Sequence, residues 1–143
     1  MLPRIHANQL SRTTAVALAI ELGAASADHL RASSDADIEA LAASTTVATL
    51  LPGAEFSTQH EGKLGRRFLD AHAQVAIATD CNPGSSFTTS MPFCIAAAVS
   101  LLGFTVEEAV HAATAGGAAA LRRSEIGNLA IGSRADIAIL KSP

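Results

Sequence analysis

His6, His29 and Asp80 are the side chains of this 143-residue sequence that can bind a metal or move a proton where short strand-like runs end. Asp80 closes the run Val75-Ala76-Ile77-Ala78-Thr79, which does not alternate and is too short for a helix, so it reads as a buried strand. A turn follows, because Pro83 fixes one φ and Gly84 frees the next. An acid at the carboxyl end of a buried parallel strand faces the mouth where α/β folds bind ligands. Taken alone, such an Asp is as well explained by a turn cap. The two histidines make it a candidate site.

The elements that must position these residues follow a rhythm. Residues 2–6 form a short strand-like piece, residues 13–22 a helix stopped by Gly23, and residues 24–28 an apolar step ending at His29. Ser34 and Asp37 are spaced as a capping box for a helix over 35–43. Residues 45–51 are β-branched and strand-like up to Pro52-Gly53, a polar loop spans 54–62, and Leu64, Phe68 and Leu69 mark a further helix. The strand ends fall at His6, His29, Pro52 and Asp80, in steps of 23, 23 and 28 residues with one helix per step. That is the period of βα units in a parallel sheet, whose crossovers bring every carboxyl end to one side.

Beyond the site, Ser90 caps a helix that tolerates Pro92 near its start and runs to Gly103. Thr105 and Glu108 box the start of another, reaching to about residue 114. Gly116-Gly117 marks a break or close packing before a last helical turn over 118–122, and residues 127–132 and 134–140 read as two short strands of a separate β layer. Hydrophobic residues make up 49% and charged ones 16%, which places the chain among globular proteins. A net charge of -3 with 3% aromatics lacks the cationic, stacking surface of a nucleic-acid binder. No apolar stretch is long enough to span a bilayer, the start carries no signal-peptide pattern, and Cys81 and Cys94 form no C-x-x-C motif; the expectation is a soluble, cytoplasmic protein. Cys81 is expected to pack, and His60, His72 and His111 to be surface or packing residues.

The string Ala78-Thr79-Asp80-Cys81-Asn82-Pro83-Gly84-Ser85 resembles the metal-site loop of the imidazolonepropionases, a histidine-degrading family of the amidohydrolase superfamily. Ile5-His6-Ala7-Asn8-Gln9, Ala27-Asp28-His29-Leu30 and Leu50-Leu51-Pro52-Gly53 resemble that family's other landmarks in the same order. Gly127-Asn128-Leu129-Ala130-Ile131-Gly132 with Arg134-Ala135-Asp136 is similar to a segment shared by many amidohydrolases. The resemblance implies an α/β fold: the carboxyl-terminal half of a (β/α)8 TIM barrel over 1–124, then strands over 125–143 returning to a small β-sandwich.

It also implies hydrolytic opening of the ring of 4-imidazolone-5-propanoate, with one divalent metal ion, zinc or iron. His6 and Asp80 match two of the family's four metal ligands; the other two, an H-x-H pair, are not in this sequence. Asp80 also matches the proton-transferring acid, and His29 a catalytic histidine near the reacting carbonyl. Gln9, Asn82, Gly84 and Ser85 match substrate-binding positions. Chemistry fits these roles, since imidazole and carboxylate are ordinary ligands of zinc and iron, and an amide such as Gln9 orients but does not titrate. Backbone N–H groups around Gly84 are expected to suit a carboxylate anion. Four βα units are half a barrel, so the resemblance makes this a fragment, inactive alone, of a protein that can be a homodimer. Another cyclic-amide or amidine hydrolase, or a non-catalytic half-barrel scaffold, remains the alternative.

Overall fold

A computed structural model describes residues 2–59, 62–139 and 141. Four strands, β1 (Arg4–Ala7), β2 (Ser26–His29), β3 (Val47–Leu50) and β4 (Val75–Ile77), form one sheet in the order β1-β2-β3-β4. Every pairing is parallel. Helices α1 (Ala15–Glu21) and α2 (Asp35–Ala42) connect the first three strands, and α3 (Pro52–Ser57) and α4 (Leu64–Asp70) lead from β3 to β4. Then come α5 (Met91–Leu102), α6 (Val106–His111), a π-helical turn (Ala112–Gly116) and α7 (Gly117–Ala120). The βα rhythm is as expected, and all strand carboxyl ends lie on one side.

The helix side of the sheet is covered along its length and the other face only in part, so β3 and β4 read as apolar runs while β1 leaves Arg4 and His6 exposed. Ala7, Ala27, Ala48, Leu50, Val75 and Ile77 pack against helix residues such as Val16, Leu41, Phe68 and Leu102. Val47 and Ala76 on the other face pack with Ala120 of α7. The π-helical turn comes hard against β4, because a Cβ on Gly116 would run into the Val75 carbonyl; close packing is the outcome at Gly116-Gly117, with no break. Arg122 donates to the carbonyls of Ala24 (3.2 Å) and Thr45 (2.7 Å), tying the end of α7 to the segments entering β2 and β3.

The capping boxes form as expected. Ser34 Oγ accepts from the Asp37 N–H at 3.2 Å while Asp37 Oδ2 accepts from the Ser34 N–H at 2.9 Å. Thr105 and Glu108 repeat the arrangement, and Arg66 joins Glu108 to α4 in a two-pronged ion pair at 2.9 and 3.0 Å.

Two expectations fail. Residues 54–62 are not one loop: Pro52–Ser57 is α3, with Pro52 in the first turn, where a missing N–H does no harm. Six residues are too few to be helical on propensity, and burial of Pro52, Gly53, Ala54 and Glu55 against the neighbouring helix layer supplies the rest. Nor are there strands in the tail. Its described residues beyond 123 form turns, bends and irregular chain with no ladder partner, and Leu129, Ile131, Ile137 and Ile139 are exposed. Alternating apolar residues become a strand only where a sheet edge receives their N–H and C=O groups. Here Asn128 organises a turn instead, accepting from Ala130 N–H at 3.0 Å and Ser133 Oγ at 2.6 Å. Leu140, the expected end of the second strand, and His60 lie outside the described residues. No helix among the described residues is long and apolar enough to cross a membrane.

Candidate active site

Strand alternation puts Arg4 and His6 on the sheet face away from α1, and it would send His29 to the helix side. His29 escapes this because φ is +74° there and +64° at Leu30, so the chain turns as β2 ends. Its ring reaches His6, with His6 Nδ1 2.8 Å from His29 Nε2 and the rings tilted by 34°. One of these nitrogens donates and the other accepts. His29 is only 2% exposed, and its Nδ1 has no hydrogen-bond partner among the described residues. Burial holds its pKa below the ordinary histidine value, with the Asp80 carboxylate opposing and His6 reinforcing the shift.

His6 and Asp80 line one cavity of about 280 Å³, together with Arg4, Asp28, Thr49 and Leu51. Asp80 also takes a positive φ, +48°, as the chain leaves β4. Such backbone outliers in residues other than glycine gather at functional sites. The register explains the cavity wall: His6 pairs with Asp28 and Asp28 with Thr49, so the three sit side by side on one face. Arg4 donates to Ser26 Oγ at 3.2 Å and also to the Ala120 carbonyl, and Ser26 Oγ donates to Asp28 Oδ1 at 2.7 Å. Sequence reasoning missed Arg4, Asp28 and Thr49. Alternation from His6 would have found Arg4, but Asp28 and Thr49 join the row only through the cross-strand register.

The loop after Asp80 is built around Asn82. Its Oδ1 accepts from the N–H groups of Gly84 and Ser85, both at 2.8 Å, and its Nδ2 donates to the Asp80 carbonyl at 2.6 Å and to Ser85 Oγ at 3.2 Å. The expectation that N–H groups around Gly84 receive an anion is therefore corrected: Asn82 already occupies those of Gly84 and Ser85. Ser86 Oγ donates to the Thr79 carbonyl at 2.6 Å, resting against Gly53 of α3. Cys81 is exposed and does not pack, since the strand has ended and the chain has turned outward. Gln9 is half-buried on the bend after β1, outside the cavity lining. Its neighbour Asn8 organises that bend, accepting from Thr13 N–H (2.8 Å) and Oγ1 (2.9 Å). His72 and His111 are exposed and line a larger groove of about 700 Å³ at the start of β4, away from the strand carboxyl ends.

An imidazole nitrogen and a carboxylate oxygen opening onto one cavity suit a divalent cation in kind. Among the described residues no group of three or more His, Cys, Asp or Glu is gathered closely enough to hold an ion, so further donors are needed to complete a coordination shell.

A parallel α/β sheet with a His–His–Asp constellation at its carboxyl ends defines a class, and the chain belongs to the amidohydrolase family, whose sequence model matches residues 7–143. It is 63% identical over 141 residues to an imidazolonepropionase of Streptomyces avermitilis, covering 99% of this chain and 34% of that protein. The chain thus spans about a third of the length of the curated relatives it matches. In fold it is similar to an amidohydrolase from a Sargasso Sea sample, with TM-score 0.72 and 23% identity, covering 93% of this chain and 31% of that one. An adenosine deaminase from Xanthomonas campestris with bound zinc gives TM-score 0.70 at 19% identity, covering 95% and 36%.

Proposed function

We propose that this chain is the carboxyl-terminal catalytic portion of an imidazolonepropionase, opening the ring of 4-imidazolone-5-propanoate by hydrolysis to N-formimidoyl-L-glutamate. The observation that carries this reading is the shared cavity of His6 and Asp80 beside the His6–His29 contact, in a chain 63% identical to such an enzyme. Residues 1–124 are read as half of a (β/α)8 barrel, and residues 125–143 as the chain returning to a β-sandwich, where the exposed Leu129, Ile131, Ile137 and Ile139 find cover. The full-length protein is read as cytoplasmic and able to form a homodimer.

His6 and Asp80 would hold one zinc or iron ion, which when bound polarises a carbonyl and makes water acidic. Asp80 takes a proton from the attacking water and delivers it to the ring nitrogen that leaves, a task for a carboxylate within hydrogen-bond reach. His29, whose burial favours the neutral ring, stands beside the reacting carbonyl and donates to the oxygen on which charge develops. Gln9 orients the ring by its amide. Asn82 shapes the loop so that Gly84 and Ser85 border the substrate.

The test is turnover of imidazolone propionate by the full-length protein, its loss on chelation and its return with zinc or iron. The isolated 143-residue chain, with two of the four ligands, shows no turnover. A full-length protein that is indifferent to chelator, or prefers hydantoins or amidines, refutes the assignment.

A further inference from the structure

Asn8 stands between His6 and Gln9 and is 3% exposed, whereas residues 10–14, which lead into α1, are exposed. Its φ is +50°, a left-handed bend that asparagine tolerates better than most residues. The carboxamide closes this connection on itself. Oδ1 accepts from the Thr13 N–H at 2.8 Å and from the Thr13 hydroxyl at 2.9 Å, and that hydroxyl oxygen accepts in turn from the Ala15 N–H at 3.2 Å. A backbone N–H can only donate, so the atom facing Thr13 is the oxygen, and Nδ2 turns toward Asp37 Oδ2 at 3.5 Å. Arg12 reaches the same carboxylate at 3.4 Å, but from an exposed position. The buried anchor of the bend is Asn8.

A second bend hangs on this one. The Ala7 carbonyl accepts from the Leu30 N–H at 2.9 Å and the Asn8 carbonyl from the Ala32 N–H at 2.8 Å, so the β1–β2 pairing continues past the strand ends. His29 and Leu30 are left-handed at +74° and +64°, a backbone that persists in residues other than glycine only where its surroundings over-determine it. Their link to residues 7 and 8 is part of those surroundings. Through it, the direction of the Asn8 peptide sets where the His29 ring stands, and that ring meets His6 at 2.8 Å.

We propose that Asn8 is a positioning residue for His29: its carboxamide fixes the bend after β1, onto which the N–H groups of Leu30 and Ala32 fasten the bend after β2. Asn8 acts through the backbone, without contact to the reacting atoms. The catalytic consequence rests on the function proposed above; the geometric one does not.

The experiment compares full-length wild type with Asn8→Gly and Asn8→Asp by crystallography and steady-state kinetics. Glycine takes the left-handed bend without steric cost and lacks the carboxamide, so it isolates the side chain. Aspartate keeps the acceptor for Thr13 and gives up only the long arm to Asp37. Expected for Asn8→Gly is a His29 ring displaced relative to His6 by about 0.5 Å or more, beyond the tolerance within which a catalytic group must be held. Its turnover falls about tenfold with KM within about twofold of wild type, and Asn8→Asp recovers it to within about threefold. A purely structural role would lower the melting temperature and leave kcat of the folded protein unchanged. Asn8→Gly with the His6–His29 geometry unmoved, or with wild-type kcat, overturns the proposal, as does an aspartate variant as slow as the glycine one. Should Asn8→Gly not fold, Thr13→Val removes one of the two donors and carries the same prediction at about threefold, with Thr13→Ser as its restoration. If wild type does not open imidazolone propionate, the proposed function fails, and the His6–His29 geometry in the same crystals still decides the role of Asn8.

Discussion

Replacing Gly53 by alanine tests how the Asp80 loop is held. A Cβ at position 53 would collide with Ser86 Oγ and would lie 3.4 Å from Ser86 Cβ and 3.5 Å from the Thr79 carbonyl oxygen. Ser86 is 1% exposed, so its hydroxyl has nowhere to go without giving up its bond to Thr79. Overpacking costs about 1–3 kcal/mol. Stranding the buried hydroxyl or carbonyl adds about 1–3 kcal/mol. Alanine in a helix recovers up to about 1 kcal/mol relative to glycine. The net expectation for Gly53→Ala is a loss of about 2–4 kcal/mol on these terms, together with reduced turnover, because the displaced segment carries Asp80. Ser86→Ala alone loses only the hydrogen bond, about 1–2 kcal/mol. In the double variant the hydroxyl that meets the new methyl is gone, so the two losses do not add, and the coupling is about 2 kcal/mol in favour of the pair. Urea denaturation of the four full-length proteins measures this cycle. Additive losses, or a Gly53→Ala protein as stable as wild type, would show that α3 does not seat the loop.

Asp80→Asn in the full-length protein removes both a charged ligand and the proton carrier, so metal content by elemental analysis and turnover both fall sharply; near-normal turnover excludes Asp80 from the chemistry. Glu55, 3% exposed in α3, has its carboxyl pushed up to about 7 by burial, with Arg31 opposing. The folded state therefore holds this proton more tightly than the unfolded chain, whose carboxyl titrates near 4.5, and stability falls as pH rises from about 4.5 to 7 and then levels. Glu55→Gln removes this fall, on the order of 3 kcal/mol across the window, as seen in melts over this pH range, and an unchanged pH dependence refutes the assignment. Gly116→Ala drives a methyl into the β4 backbone at Val75 and costs about 2 kcal/mol or more, whereas Gly117→Ala, whose nearest neighbour is 4.0 Å away, is neutral or stabilising. Equal melting temperatures for the two variants would show that the π-helical turn does not press on the strand.

The order of strands and helices was legible in the sequence because local signals set it. Capping boxes at Ser34 and Thr105, Gly103 at the end of α5, and apolar runs broken at 23 to 28 residue intervals each act within a few residues of chain. The same locality made His6, His29 and Asp80 visible as strand-ending residues of reactive type. What depends on partners far along the chain was not legible. Only the register places Asp28 and Thr49 beside His6, and only the left-handed backbone at His29 and Leu30 turns that ring from the helix side to His6. Helix α3 exists because its buried face is covered by tertiary contacts, and the tail, patterned for strands, has none because no sheet edge meets it among the described residues. Type and spacing of residues are written along one dimension; a hydrogen bond across strands needs two segments folded together, and that the tertiary structure alone decides.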